Sequence, residues 1–264
     1  MPFTYASHQA PVLALKMRWP GPFDGTALVM GSMAPDWAYA LNGTPLAFDA
    51  HAGWGFLLFC VPAAVVAALV LRRAAPVLFA YAPSPPVLPL RQLRVLSRRR
   101  PRLPLSLVSG LVGALTHVVW DLFTHDGAWG PRHVAWLRST ALEAAGHSWS
   151  WAKVLQAMGH GGGAAVALYL LHRILTSGSL LGWYDVEADD GGGPAGGVVR
   201  FWAVTVVGLA AGTACAMTGH PGIPGRVIRL SLGLAVGLVA ASKVCAREVR
   251  AAAALTRPGT SPAP

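Results

Sequence analysis

Five stretches of this chain, at roughly 52–71, 105–125, 150–171, 201–218 and 227–246, stay apolar over the length a helix needs to cross a bilayer. Lipid offers no partner to backbone N–H and C=O groups, and a run of about 20 apolar residues satisfies them internally as one helix. Only 12% of the 264 residues are charged and 54% are hydrophobic, with mean hydropathy +0.48. A soluble domain carries about 25% charged residues, so lipid must cover much of this surface. The sequence therefore predicts an all-α, polytopic membrane helix bundle of about five transmembrane helices. A re-entrant or interfacial N-terminal helix is added over 26–42, too short and polar to span and broken near Pro35. The third span is the weakest, because Lys153, Gln156, His160 and three consecutive glycines at 161–163 interrupt its first half.

Charge sets an orientation. The connecting stretch 72–104 holds eight arginines and no acid, and Lys243, Arg247 and Arg250 follow the last span. The positive-inside bias puts both in the cytoplasm and, across five spans, the first fifty residues outside. The acidic stretch 184–199 would then lie inside, but acids weigh little in that rule. The expected organisation is a membrane domain over 1–176, which includes the loop 72–104, then an acidic glycine-rich loop 177–200. A C-terminal helical hairpin 201–250 and a disordered tail 251–264 complete it. The first twenty residues lack a signal-peptide pattern. Net charge +10 and pI near 10.4 do not point to nucleic acid, because the basic residues cluster beside the spans. Cys60, Cys215 and Cys245 lie in apolar runs without ligand spacing and read as small core residues. Trp129, Trp136, Trp149 and Trp151, around the loop 126–149, read as an interfacial belt.

The second span ends GALTHVVWDLFTH. His117, Asp121 and His125 are spaced by four and share one helix face. His117 to His125 covers about 12 Å of rise, too much for one ion to take all three. Neighbouring pairs can chelate, as i, i+4 pairs do in zinc-binding helices, and Asp121 can bridge two ions or orient a histidine. In the orientation above this end faces outward, as do His51 at the start of the first span and His8 and Asp36 before it. The set His8, Asp36, His51, His117, Asp121 and His125 offers nitrogen and oxygen but no thiolate, which suits zinc, iron or manganese. An intramembrane aspartate costs several kcal/mol unless paired, coordinated or hydrated. Trp120 flanks the stripe, and Gln156 and His160 sit four apart in the outer half of the third span. These three are the expected substrate contacts, with helix-packing hydrogen bonds as the alternative for Gln156 and His160.

The segments MPFTYASHQAPVLAL, ALVMGSMAPDWAYAL, His51 and GALTHVVWDLFTHDG resemble the bacterial membrane-protein family called domain of unknown function 4184, over about residues 1 to 175. In place of that family's Gln-His-Gly-Ser run this chain has Gln156 followed by AMGHGGG. The family is similar in pattern to predicted inner-membrane metal-dependent hydrolases. More distantly it resembles the zinc-dependent phospholipase C group, which shares an N-terminal His, a Gly-x-x-x-Pro-Asp element and a late His-x-x-x-Asp. The resemblance implies His8, Asp36, His51, His117, Asp121 and His125 as ligands, with Gly31, Ser32 and Pro35 shaping the turn that presents Asp36. It also implies a bacterial inner-membrane location.

The expected function is a membrane-embedded metal-dependent hydrolase of a phosphate ester or lipid-like substrate. Asp36 and Asp121 are its expected catalytic carboxylates, and the cofactor is a divalent ion, zinc first, with magnesium or manganese as alternatives. The expected partners are membrane lipid and a lipid-like or prenyl phosphate, not nucleic acid. A metal-dependent prenyl-diphosphate enzyme (a transferase or terpene cyclase) is the second expectation. A metal transporter or non-enzymatic membrane protein is the third.

Overall fold

The computed structural model describes residues 4–144, 146–187, 194 and 196–255. Each long apolar stretch is a helix. Shorter helices precede them, among them α1 (Gln9–Arg18), α2 (Gly25–Gly31) and α3 (Ala34–Trp37). Then come α4 (Gly53–Tyr81), α5 (Leu103–Thr124), α6 (Trp151–Thr176), α7 (Val198–Ala216) and α8 (Gly222–Val244), with α9 (Ala246–Leu255) last. The segments holding α4 to α8 are long and apolar enough to cross a membrane. Their outward side chains agree: Leu58, Val207 and Val236 are each about two-thirds exposed or more, a surface suited to lipid rather than water. A short antiparallel hairpin, β1 (Thr140–Ala144) with β2 (His147–Ser150), lies in the stretch expected to be loop.

Several boundaries differ from expectation. The first span was expected to end near residue 71, but α4 runs on through Arg72, Arg73 and Pro76. The glycines at 161–163 leave α6 continuous, because glycine weakens a helix by only about 1 kcal/mol per residue and proline is absent there. The break in 26–42 falls at Ser32–Met33, ahead of Pro35, which instead occupies the first turn of α3. A proline there loses no hydrogen bond, since first-turn N–H groups have no helical partner. Cys215 is exposed rather than a core residue. The tail was expected from 251, yet α9 continues to Leu255; residues 256–264 lie outside the described residues. Of the acidic loop, Ser179–Tyr184 is helical and 188–193 lie outside the described residues.

The chain divides into two compact units, residues up to 68 with 101–173, and 69–100 with 174 onward. Most of the arginine-rich stretch 72–104 thus groups with the C-terminal helices, not with the N-terminal domain as expected.

In the first unit, backbone contact fixes how α2 crosses α5. A Cβ on Gly31 would overlap the Gly110 carbonyl, and one on Gly113 the Leu28 carbonyl. Only glycine permits that approach. The crossing is clamped at one end by Asp24, 3% exposed. Its carboxylate caps α2 by accepting from the Thr26 and Ala27 amides at 3.1 and 3.2 Å and takes a third bond from Ser106 Oγ at 2.6 Å. The Asp24 amide donates to Ser109 Oγ at 2.9 Å. Loss of an N-cap costs about 1 kcal/mol, and a buried hydroxyl left unpaired costs about 1–3 more. Asp24→Ala is therefore expected to destabilise the first unit by about 2–4 kcal/mol, read as a lowered midpoint of thermal unfolding in detergent; an unchanged midpoint would contradict the clamp.

In the second unit, α7 and α8 meet through glycines. Gly208 faces Gly237 and Gly212 faces Gly233, each too close for a Cβ, as in small-residue packing within membranes. Arg229, 6% exposed within α8, donates to the carbonyls of Cys215 and Thr218 at 2.9 and 2.7 Å. It satisfies the C-terminal end of α7, where a positive charge is favourable. Tyr81 stacks on buried Phe201 with centroids 4.5 Å apart.

Candidate metal centre

The crossing of α2 and α5 sets the site's geometry. Because the two backbones touch at Gly31 and Gly113, the Ser32 carbonyl at the end of α2 reaches His117 Nδ1 at 2.8 Å. A carbonyl only accepts, so Nδ1 carries a proton, and the neutral form of the ring would hold its lone pair on Nε2. One turn on, α3 presents Asp36, 6% exposed, to the same imidazole. His51, in the bend before α4, is held by an Asp49 carboxylate that accepts from its backbone amide at 2.8 Å and faces its Nδ1 at 3.6 Å. That turns Nε2 inward. His8 precedes α1, is 4% exposed, and stacks on His117 with centroids 3.8 Å apart. Its approach is permitted by Gly163, whose missing Cβ makes room for Ser7.

Asp121 stands between two pairs of nitrogens. Its Oδ2 lies 3.2 Å from His117 Nε2 and 3.9 Å from His51 Nε2. Its Oδ1 lies 3.6 Å from His8 Nε2 and 3.5 Å from His125 Nδ1. Asp36 Oδ1 is 3.6 Å from both His51 Nε2 and His117 Nε2. Apart from the 3.2 Å approach of His117 to Asp121, these separations are longer than a well-formed hydrogen bond. Indeed His51 Nε2, His117 Nε2 and His125 Nδ1 are buried without a hydrogen-bond partner. The separations instead match the spacing of ligands around a tetrahedral zinc, which at bond lengths near 2.0–2.1 Å stand about 3.3 Å apart. Two sets, His8/His117/Asp121 and Asp36/His51/His117, each bring three donor atoms within 4.8 Å of one another.

The electrostatics keep the donors outside the spans in ligand form. Burial lowers the His8 imidazole to about 4, helped by His117 and opposed by Asp121 and Asp36, so it is neutral at pH 7. Burial pushes the Asp36 carboxyl up, but the His117 and His51 imidazoles facing it outweigh that and hold it well below the usual carboxylate range. Burial, then Asp36 and Asp121, raises the Tyr39 phenol to about 12; its ring lies 5.4 Å from His51.

Of the nine site residues singled out in the sequence, six form this cluster. Gln156 adjoins it, its carboxamide nitrogen 2.8 Å from His125 Nε2. With the amide reversed, Gln156 accepts from Nε2–H and frees the His125 Nδ1 lone pair toward Asp121. His160 lies within electrostatic reach of His8. Trp120 packs its indole over Gly159. Side-chain exposure rises from 1% at His117 to 16% at Asp121 and 38% at His125, so the cluster opens along α5 toward His125. Asp49 and Tyr39 went unnoticed as supports, and Ser32, expected to shape the turn before Asp36, also holds His117 through its carbonyl; Asp49 two residues before His51 and Tyr39 three after Asp36 were the available signals.

Fold and cluster together define a multi-pass helical membrane protein with a buried His/Asp constellation built from its N-terminal segments and second span. The chain belongs to the family described as Domain of unknown function (DUF4184), whose model matches residues 1–243. The match extends well beyond the 175 residues that carried the resemblance, through the C-terminal hairpin. Comparison with curated proteins and with solved structures gives no match.

Proposed function

We propose that this chain is a membrane-embedded, metal-dependent hydrolase of a phosphate ester on a lipid-like molecule, working at the extracytoplasmic face of a bacterial inner membrane. The observation that carries the reading is the set of partnerless imidazole nitrogens facing Asp36 and Asp121 at coordination spacing. Two carboxylates facing several imidazoles in a buried site suit a cation, and a nitrogen–oxygen set without thiolate suits zinc. His117, His51, Asp36 and Asp121 Oδ2 would hold one ion; Asp121 Oδ1, His8 and His125 would hold a second. Such ions lower the pKa of a coordinated water toward about 7 and offset phosphoryl charge.

The residues divide the remaining work by depth. Asp36, the more buried carboxylate, stays anionic and fixes the inner end. Asp121 faces the open side, where it takes the proton from the attacking water as the new P–O bond forms. The departing alcohol oxygen takes its proton from water at the open mouth beside His125 as the ester P–O bond breaks. The exposed apolar surface of α5 (Val119, Leu122, Phe123) supports a substrate that arrives through lipid.

The test is metal content and phosphate release from purified full-length protein, using p-nitrophenyl phosphate and a short-chain phosphatidic acid. One or two tightly held divalent ions per chain are expected. Stripping them with dipicolinate should reduce phosphate release to background, and zinc or manganese should restore it. Metal-free protein that still releases phosphate would reject the metal mechanism. Metal-loaded protein that releases none, but moves the ion across liposomes, would favour transport.

A further inference from the structure

Within the second unit, α4 emerges from its apolar stretch at Arg72 and Arg73, and a 3-10 helix, Leu90–Ser97, returns beside it. There lies a cavity of about 230 Å³ lined by Leu69, Arg72, Arg73, Ser97 and Arg100. Among the described residues three arginines and no acid line it. Arg72 is 4% exposed, so its guanidinium is set by the fold, whereas Arg73 and Arg100 are exposed at the rim. Ser97 Oγ already donates to the Arg94 carbonyl at 3.0 Å, which leaves anion recognition to the arginines. Guanidinium groups grip phosphate with paired N–H bonds, stronger and more directional than an ammonium. A neighbouring cavity that shares Ser97 includes Glu187, an acid that disfavours an anion there.

We infer that this cavity is a binding site for the phosphate headgroup of an anionic phospholipid, separate from the His/Asp cluster. A lipid fits better than a free ion because the arginines begin where the apolar stretch of α4 ends. Leu69 lines the cavity floor and Val70, 37% exposed, offers an apolar flank for acyl chain. Interhelical basic pockets at this level are where headgroups bind electrostatically.

The full-length protein in neutral detergent should be titrated with phosphatidylglycerol, phosphatidylcholine and inorganic phosphate, read by native mass spectrometry and thermal unfolding. Phosphatidylglycerol should remain bound and raise the midpoint, with phosphatidylcholine doing neither. The Arg73→Gln/Arg100→Gln double variant changes exposed residues and should fold; its affinity for phosphatidylglycerol should fall by about tenfold or more, the worth of one charge-assisted contact. Arg100→Lys keeps the charge but not the fork and should also weaken binding. Equal retention of both lipids, or undiminished phosphatidylglycerol binding by the double variant, would overturn the inference. Stabilisation by inorganic phosphate that phosphatidylglycerol does not reproduce would assign the cavity to a free anion and reject the lipid.

Discussion

Asp121→Ala should remove bound metal and lower phosphate release by at least about a thousandfold, while the protein still folds. The expectation follows from position. Both oxygens of Asp121 turn to imidazoles, Oδ2 to His117 and His51, Oδ1 to His8 and His125. Removing it takes a ligand from each of the two proposed ion positions and the proton acceptor as well, and residues that act as a unit lose nearly everything together. It is 16% exposed, and the change creates no deeply buried void, so stability should suffer less than activity. Asp121→Asn keeps the shape while removing the negative charge, and should retain weaker metal binding with activity still greatly reduced. Wild-type metal content and turnover in both variants would dispose of the proposed function.

Gly113→Val should have the largest effect on the molecule as a whole. The new side chain would meet the Leu28 carbonyl, the Ser32 amide at 2.8 Å and Gly31. All are backbone atoms that cannot swing aside. Overpacking a tight contact costs about 1–3 kcal/mol when side chains can repack, and here the helices themselves must separate. Separation would draw the Ser32 carbonyl off His117 Nδ1 and shift Asp36 with it, so metal should be lost alongside a lowered unfolding midpoint. Gly113→Ala should act in the same direction with smaller effect. Gly162→Ala is the control: nothing stands within 4 Å of its Cβ position, and alanine favours a helix, so stability should hold or rise. If Gly113→Val melted like the parent, the helix crossing would not be the determinant of the site.

The spans were legible because lipid imposes a simple length and composition rule on them. The ends were less so. Arg72 and Arg73 look like a stop, yet the alanines around them favour helix and α4 continues. The ligand-type residues could be found because ionisable groups at helical spacing in an apolar run are costly and therefore conspicuous. Their supports were not visible. Ser32 serves through its backbone carbonyl, which every residue possesses, and Asp49 acts in a polar loop where an aspartate is unremarked. The glycine pairs between α7 and α8 carried a signal, glycines four apart in both segments, that the sequence reading passed over. The hairpin at β1 and β2 escaped because tryptophans in a short polar loop suit a membrane belt and a strand equally.

The α7–α8 glycines have a mechanical consequence. With Gly208 opposite Gly237 and Gly212 opposite Gly233, the two helices mesh like a short rack with teeth one turn apart. Sliding α8 by a single turn would still seat Gly233 against Gly208, but it would drive Arg229 into Gly212. A slide in that direction is thus blocked by the bulkiest residue in reach, whereas the opposite slide sets Gly237 against Gly212 and Ala241 against Gly208. In the observed register that arginine grips the carbonyls of Cys215 and Thr218. The residue that bars one shifted alignment also latches the observed one.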